Sequence, residues 1–550
     1  MYAAQRLSMS SIWSIPVFVF LSAGLFILLL NRKNTNIGAS WFAAIIAGIF
    51  AWGWTISLYF RPDIQIVPLS EIVQIYSSKS PLSVSLTDIF VLDGISFPYM
   101  LSMSALLVIM LLSAPSNMDS QTAPRLCFFY LLLTAIGYLS VSANDVRFII
   151  YGWVIFDSID LVAHYLQARP GKIHRSILLA VGVRFIGTLL AASSLALSIS
   201  ESPEDFSSFI SIKGGAYLFT ACALRMGILP MTQPYSEPSN SRVGLGTTLR
   251  LVSILTVMPV LSRLPLSGLR PDLIIFLKLS SILASLTGAV GWLLSENSIT
   301  GNTFASMALC GMTFACALNQ NQEALIVWGI SVVLFCAPLS LYQFHNTFMN
   351  ILTVLLVILF SGLPYTPNAF GWNGLINETF PGFSIVFILI MSFLLGGAFL
   401  HIFRFKGKSF SELEPWMRSV YPIGFITAIV THIFIGMTNF NSRFTLGNIQ
   451  ASVTAFILGI ILTLSIRYMP EIRRTQNTAV WGRTLISIFW TGMQKLLDMD
   501  WLLALGNIIW KVVKWIFSTL SLVLENNGGL IWELLLMVLL IAVAFSGGFF

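Results

Sequence analysis

Long apolar runs without a single charge restrict this chain more than any other feature of it. Ser11 to Leu30 is one such run, and Ile351 to Phe360 with its flanks is another. A backbone in lipid must satisfy its own hydrogen bonds, which leaves α-helices or a closed barrel. A barrel would read as alternating segments of about 10 residues, and these runs do not alternate. An all-α, polytopic membrane protein is therefore expected. Composition agrees: only 10% of the 550 residues are charged and 56% are apolar, too little charge to cover a soluble fold. A soluble enzyme is excluded.

Spans of about 20 apolar residues are expected near 11–30, 38–60, 95–114, 125–143, 146–166, 174–198, 214–232 and 241–262. A second series is expected near 272–294, 302–319, 323–345, 347–364, 384–405, 418–438, 447–468 and 529–545, sixteen in all. The first run is long enough to span, so it reads as a retained helix rather than a signal peptide. Arg32 and Lys33, Arg169 and Lys172, Arg404 and Lys406, and Arg467 and Arg473 all follow odd-numbered spans. Basic loops favour the cytoplasmic or matrix side, so both termini are expected on the periplasmic or intermembrane side. The setting would be a bacterial plasma membrane or a mitochondrial inner membrane. Arg263 and Arg270, read as loop charges after the eighth span, break the pattern.

Between 483 and 526 the pattern changes to Trp490, Leu497, Trp501, Leu505, Ile508, Trp515 and Leu522 among Lys495, Asp498, Asp500, Lys511 and Lys514. A Trp-rich stripe beside a charged face suits a helix lying in the interface, with a break expected near Gly506. A surface anchor and a strut bridging neighbouring subunits fit it equally.

The five cysteines, Cys127, Cys222, Cys310, Cys316 and Cys336, lie in apolar stretches and form no C-x-x-C pair. His174 has no partner ligand near it. No metal, cofactor, dinucleotide fingerprint or nucleic-acid partner is expected.

Two spans carry paired breaks. The seventh contains Gly227-Ile228-Leu229-Pro230-Met231-Thr232-Gln233-Pro234, and the twelfth ends in Gly362-Leu363-Pro364-Tyr365-Thr366-Pro367. Each proline removes a helical hydrogen bond and frees carbonyls that need a polar partner. Interruptions at corresponding places in two halves point to an internally repeated transporter; the alternative is two coincidental kinks.

Three stretches carry a resemblance. Phe90-Val91-Leu92-Asp93-Gly94-Ile95-Ser96 resembles the start of the third helix in the antiporter-like subunits of respiratory complex I. Ala143-Asn144-Asp145 through Gly152-Trp153 is similar to that family's turn leading into Gly-Trp-Glu. Leu224-Arg225-Met226-Gly227-Ile228-Leu229-Pro230, on through Pro238 and Val243-Gly244, looks like its broken seventh helix. The family also includes subunits of Mrp-type cation/proton antiporters. The resemblance implies two inverted five-helix repeats, 125–262 and 272–405. These would be flanked by helices within 1–124 and 418–468, an amphipathic helix at 483–526 and a terminal anchor at 529–550. It also implies coupling to electron transfer onto quinone, although the sequence carries no dinucleotide fingerprint or metal-ligand spacing to hold redox chemistry itself. Its partners would be lipids and other membrane subunits of a large hetero-oligomer, paralogous antiporter-like subunits among them.

The chain departs from that pattern where protons would move. The family's helix-five glutamate falls on Val154, its helix-seven lysine on Arg225, and its histidines on Thr232 and near Thr248. The stretch from Leu325 to His345 lacks an internal lysine or histidine, and Ser298-Ile299-Thr300-Gly301-Asn302 replaces a Lys-Arg start of the tenth helix. Arginine keeps a charge but cannot release its proton near neutral pH. A degraded relay is the expectation.

A charged cluster remains. Asp157, Asp160 and His164 share one face of the fifth span at i, i+3 and i+7, and Arg184, Arg225 and Arg250 lie in the next three spans. An ionised side chain within the bilayer must be paired or hydrated, so Asp157 and Asp160 are expected to pair with Arg225 and Arg184. A rerouted proton path and a static ion-pair lock are both open. Lys278 and His401 lie near span ends, and His432 sits deeper, where it could line a hydrated path. Three functions compete. One is a divergent proton-translocation-type subunit of a complex-I-like NADH:quinone oxidoreductase. The others are a non-transporting structural paralogue and a subunit of a cation/proton antiporter or inorganic-carbon uptake complex.

Overall fold

Among the described residues, fifteen α-helices follow one another along the first unit, Met1–Asn477, and a sixteenth lies in the second, Thr478–Phe550. In chain order they are α1 (Ile15–Leu30), α2 (Ile37–Tyr59), α3 (Ser96–Ser113), α4 (Ala123–Ser142) and α5 (Val146–Gln167). Then come α6 (Arg175–Glu201), α7 (Ile212–Arg225), α8 (Leu245–Arg263), α9 (Pro271–Leu294) and α10 (Ser298–Leu318). The remainder are α11 (Gln322–Leu341), α12 (Thr347–Phe360), α13 (Pro381–Arg404), α14 (Pro415–Asn439), α15 (Leu446–Ile472) and α16 (Asp500–Glu525). This computed structural model describes residues 12–32, 37–61, 90–116, 123–167, 175–201, 212–231, 245–264, 266, 269–295, 298–341, 344–376, 381–404, 408–439, 445–472, 500–525, 535, 537 and 538. Among them, eleven helices are long and apolar enough to cross a membrane. The protein is a polytopic, all-α integral membrane protein. The anchor expected at 529–545 falls almost wholly outside the described residues.

The centre of the first unit is α3, all 18 of whose residues are buried. It packs against α2, α4, α8, α11 and α14. Lipid is as apolar as leucine, so helices in a membrane associate through close packing and polar contacts rather than the hydrophobic effect. The enclosed helices follow that rule. Ser102, Thr134 and Ser140 each donate to the carbonyl four residues back, at 2.7, 2.7 and 2.9 Å, so their hydroxyls cost nothing in lone donors. Gly288 lets α9 lie against α10: a Cβ there would stand 2.6 Å from the Ala308 amide nitrogen. The outward helices carry large exposed side chains, among them Phe18, Leu25, Ile275 and Ile461.

The helix boundaries differ from expectation in four places, each for a local reason. The seventh helix stops at Arg225, not 232, and the twelfth at Phe360, not 364, because a glycine with positive φ follows each. The eleventh ends at Leu341. Phe344–His345 is instead extended and pairs in parallel with Lys408–Ser409. Last, α16 runs unbroken through Gly506; one glycine costs a helix about 1 kcal/mol, which the leucines and isoleucines around it absorb. The described part of this amphipathic element exposes Ile508, Trp510, Val512, Trp515 and Phe517.

Candidate functional site

Helix α7 ends because Gly227 takes φ +73°, a left-handed conformation that glycine adopts without a Cβ clash. The turn closes on itself. The amide of Ile228 donates to the Ala223 carbonyl at 2.9 Å and that of Gly227 to the Leu224 carbonyl at 3.1 Å. These are the two bonds of a Schellman end. Pro230, two residues on, lies in the turn and cannot restart the helix. Pro234 and Thr232 lie outside the described residues. The last residue before the turn is Arg225, which the break thereby fixes at the end of a buried helix.

Around Arg225 the first half gathers its charges. Arg225 grips Asp157 with two nitrogens, Nη1 to Oδ2 at 2.6 Å and Nη2 to Oδ1 at 3.2 Å. Arg184 donates through Nη2 to Asp160 and holds its Nε 3.6 Å from Asp157 Oδ1. Thr188, one turn from Arg184 on α6, accepts from Arg225 Nη1 at 2.7 Å, and the Trp153 ring covers the guanidinium at 4.5 Å. Close approach of α6 to α7 depends on Gly187, where a Cβ would stand 3.0 Å from Arg225 Cγ and 3.1 Å from the Ala221 carbonyl oxygen. All four charged residues are buried. His164 lies on α5, but its side chain is outside the described residues.

Val154 faces outward, 39% exposed, whereas Trp153, Asp157 and Asp160 face in. The position the resemblance reserves for a carboxylate is thus on the outer surface of the bundle. A carboxylate does face inward, one turn later, at Asp157.

Beside the cluster is a cavity of about 40 Å³ between α6, α7, α8 and α10. Arg184, Arg225, Arg250, Ser253, Thr303 and Ser306 supply its polar lining. It brings Arg250 to the same place as Arg184 and Arg225. It also joins the first half to α10.

The second break is built differently. Gly362 again has positive φ, +71°, and a short 3-10 helix from Pro367 to Gly374 follows. Pro364 is half-buried in the turn, and Pro367 is buried at the first position of the 3-10 helix. Asn368 crosses the gap: its amide Nδ2 donates to the freed Phe360 carbonyl at 3.0 Å. That fixes its Oδ1 toward Ser331 on α11 and His432 on α14, at 2.9 and 2.8 Å. An amide oxygen only accepts, so His432 carries its proton on Nε2; its Nδ1 is buried with no hydrogen-bond partner. Ser331, Asn368 and His432 are all fully buried. His401 stacks on Trp292 at 4.1 Å and lies within 3.2 Å of Ser295 Oγ, a local contact. Lys278 lines a smaller gap with Ser281 and Asn319.

One buried pair escaped the sequence. Arg263, expected in a loop, is the last residue of α8 and only 2% exposed. It donates to Asp93 at 3.0 Å and to the Ala143 carbonyl at 2.7 Å. Asp93 also accepts from the amides of Ile95 and Ser96, at 3.2 and 2.7 Å, ahead of α3. The pair explains why Arg263 broke the loop-charge pattern: it never reaches a loop. Arg270 is exposed and pairs with exposed Asp272 at 3.3 Å. No local sequence signal joins residues 170 positions apart.

No known protein-family model matches the sequence, and no curated protein sequence matches it. Among solved structures, the chain is similar to a chain of the Mrp complex from Dietzia sp. DQ12-45-1b, with a TM-score of 0.64 and 14% identity. That match covers 97% of this chain and 63% of the Mrp chain, so this protein spans under two thirds of that chain's length. It is also similar to a chain of respiratory complex I from Thermus thermophilus with bound NADH, with a TM-score of 0.58 and 14% identity, covering 82% of this chain and 99% of that one. The likeness is one of fold: a helical membrane fold of the kind that chains of these two complexes adopt.

Proposed function

We propose that this chain is a divergent antiporter-like membrane subunit of a complex-I-like assembly, and that its first-half charges form an ion-pair lock in place of a proton relay. The observation that carries this reading is the bidentate contact of Arg225 with Asp157, at 2.6 and 3.2 Å. Relays need groups that gain and lose protons at working pH. Arg225 does not titrate there, and both oxygens of Asp157 are engaged by its guanidinium. On this reading Asp157, Asp160, Arg184 and Arg225 hold α5, α6 and α7 together, and other membrane subunits, paralogues among them, carry any proton traffic. Lipids and those neighbours would cover the outer face that Val154 shares.

The test is Asp157→Asn in the reconstituted complex. Unchanged proton translocation with lowered thermal stability is the expected result. Loss of translocation with unchanged stability would make the cluster a proton path. A second reading, a subunit of an Mrp-type assembly, is supported by the higher TM-score of 0.64 to the Mrp chain. Co-purification distinguishes the two: flavin and iron–sulfur subunits accompany the first, and other antiporter subunits the second.

A further inference from the structure

The cavity between α6, α7, α8 and α10 is lined by three arginines, Arg184, Arg225 and Arg250, by Ser253, Thr303 and Ser306, and by no carboxylate among the described residues. Asp157 and Asp160 hold Arg184 and Arg225 from outside that lining. The Nε–H of Arg225 and the hydroxyl of Ser253 are buried without a hydrogen-bond partner, a costly state for donors out of water, while Arg184 Nε has Asp157 Oδ1 at 3.6 Å. Whatever occupies the space must therefore accept hydrogen bonds. A metal cation or a hydronium is repelled by the guanidiniums. Water accepts too, and the lining hydroxyls can take its hydrogens; what favours an anion is charge, three arginines at the cavity against the two carboxylates behind them.

We infer that this cavity binds a small monovalent anion, of the size range from chloride to nitrate. Its volume of about 40 Å³ is room for roughly three water-sized occupants, enough for one such ion and one or two waters. Sulfate is too large, and its second charge would be repelled by Asp157 and Asp160 just behind the arginines. The anion accepts from guanidinium N–H groups and from Ser253, charge-assisted bonds of the stronger kind. It would join α6 and α7 to α8 and α10 across the two halves. This site is independent of whether the chain moves protons.

The experiment is equilibrium binding of radiolabelled chloride to the purified full-length complex, with gluconate as the background anion. The expected result is one saturable site per copy of this chain, competed by nitrate and bromide and not by sulfate. Ser306→Leu fills the cavity and leaves all three arginines in the chain; it should weaken binding by at least about tenfold. Ser253→Ala removes a donor that has no protein partner to lose, so the fold is kept, and it should weaken binding about threefold or more. If Ser306→Leu does not assemble, Ser253→Ala alone decides. No saturable binding up to about 0.1 M chloride, or binding that Ser253→Ala leaves unchanged, overturns the proposal and leaves the cavity to water.

Discussion

After α7 the chain turns through Gly227 and satisfies its carbonyls with its own amides, while four buried charges pair around Arg225. After α12 it turns through Gly362, leaves the Phe360 carbonyl to Asn368, and gathers only neutral groups, Ser331 and His432. A break in a membrane helix thus has two stable solutions. One seals the backbone locally and spends the polar capacity of the site on ion pairs between helices. The other uses a side chain to seal the backbone, and that same side chain orders its neighbours. The first is rigid through charge and fails badly when one charge is removed. The second is worth less per group, and each member depends on one asparagine.

The sharpest way to break this contrast is Arg225→Met, which leaves Asp157 buried beside a single guanidinium nitrogen 3.6 Å away. Loss of one partner from a buried pair costs about 3–5 kcal/mol, read as a fall in thermal stability of the purified complex. The double replacement Asp157→Leu with Arg225→Met should recover most of it, because no lone charge remains. A single replacement costing under about 1 kcal/mol would mean the pair is hydrated and the contrast false.

Asn368→Leu strands the Phe360 carbonyl and the His432 Nε2 donor together. The expected loss is about 2 kcal/mol, each stranded neutral group costing at the low end of the roughly 1–3 kcal/mol range, below that of Arg225→Met in the same assay. Equal losses would erase the distinction between the halves. Smaller again is Gly227→Ala, where positive φ alone costs about 1–2 kcal/mol. Gly362→Ala should exceed it, since the added Cβ would stand 2.5 Å from Trp372 Nε1. Least of all is Thr188→Val, which removes a 2.7 Å acceptor from Arg225 and should cost about 1 kcal/mol.

Most of the helices were legible in the sequence because lipid imposes one requirement on every spanning segment, a long run able to bond to itself. Glycine and proline marked both breaks, although the helices stop several residues earlier than the prolines suggest, at the glycines. The i, i+3 spacing of Asp157 and Asp160 fixed their common face, since helical geometry is local. What remained hidden needed neighbours in space. Arg263 looked like a loop charge because its partner Asp93 is remote in the chain. The outward aim of Val154 depends on how α5 is rotated against α4 and α6. Asn368 is one polar residue in a loop until Phe360, Ser331 and His432 are placed around it.

The enclosure of α3 has a consequence in time. Two of the helices that cover it, α11 and α14, leave the ribosome more than 200 residues later. At common rates of synthesis that delay is on the order of tens of seconds. During it α3 lacks two of the helices that enclose it in the finished fold, and because Ser102, Ser104 and Ser113 bond to carbonyls of their own helix it can wait in lipid without stranding those hydroxyls.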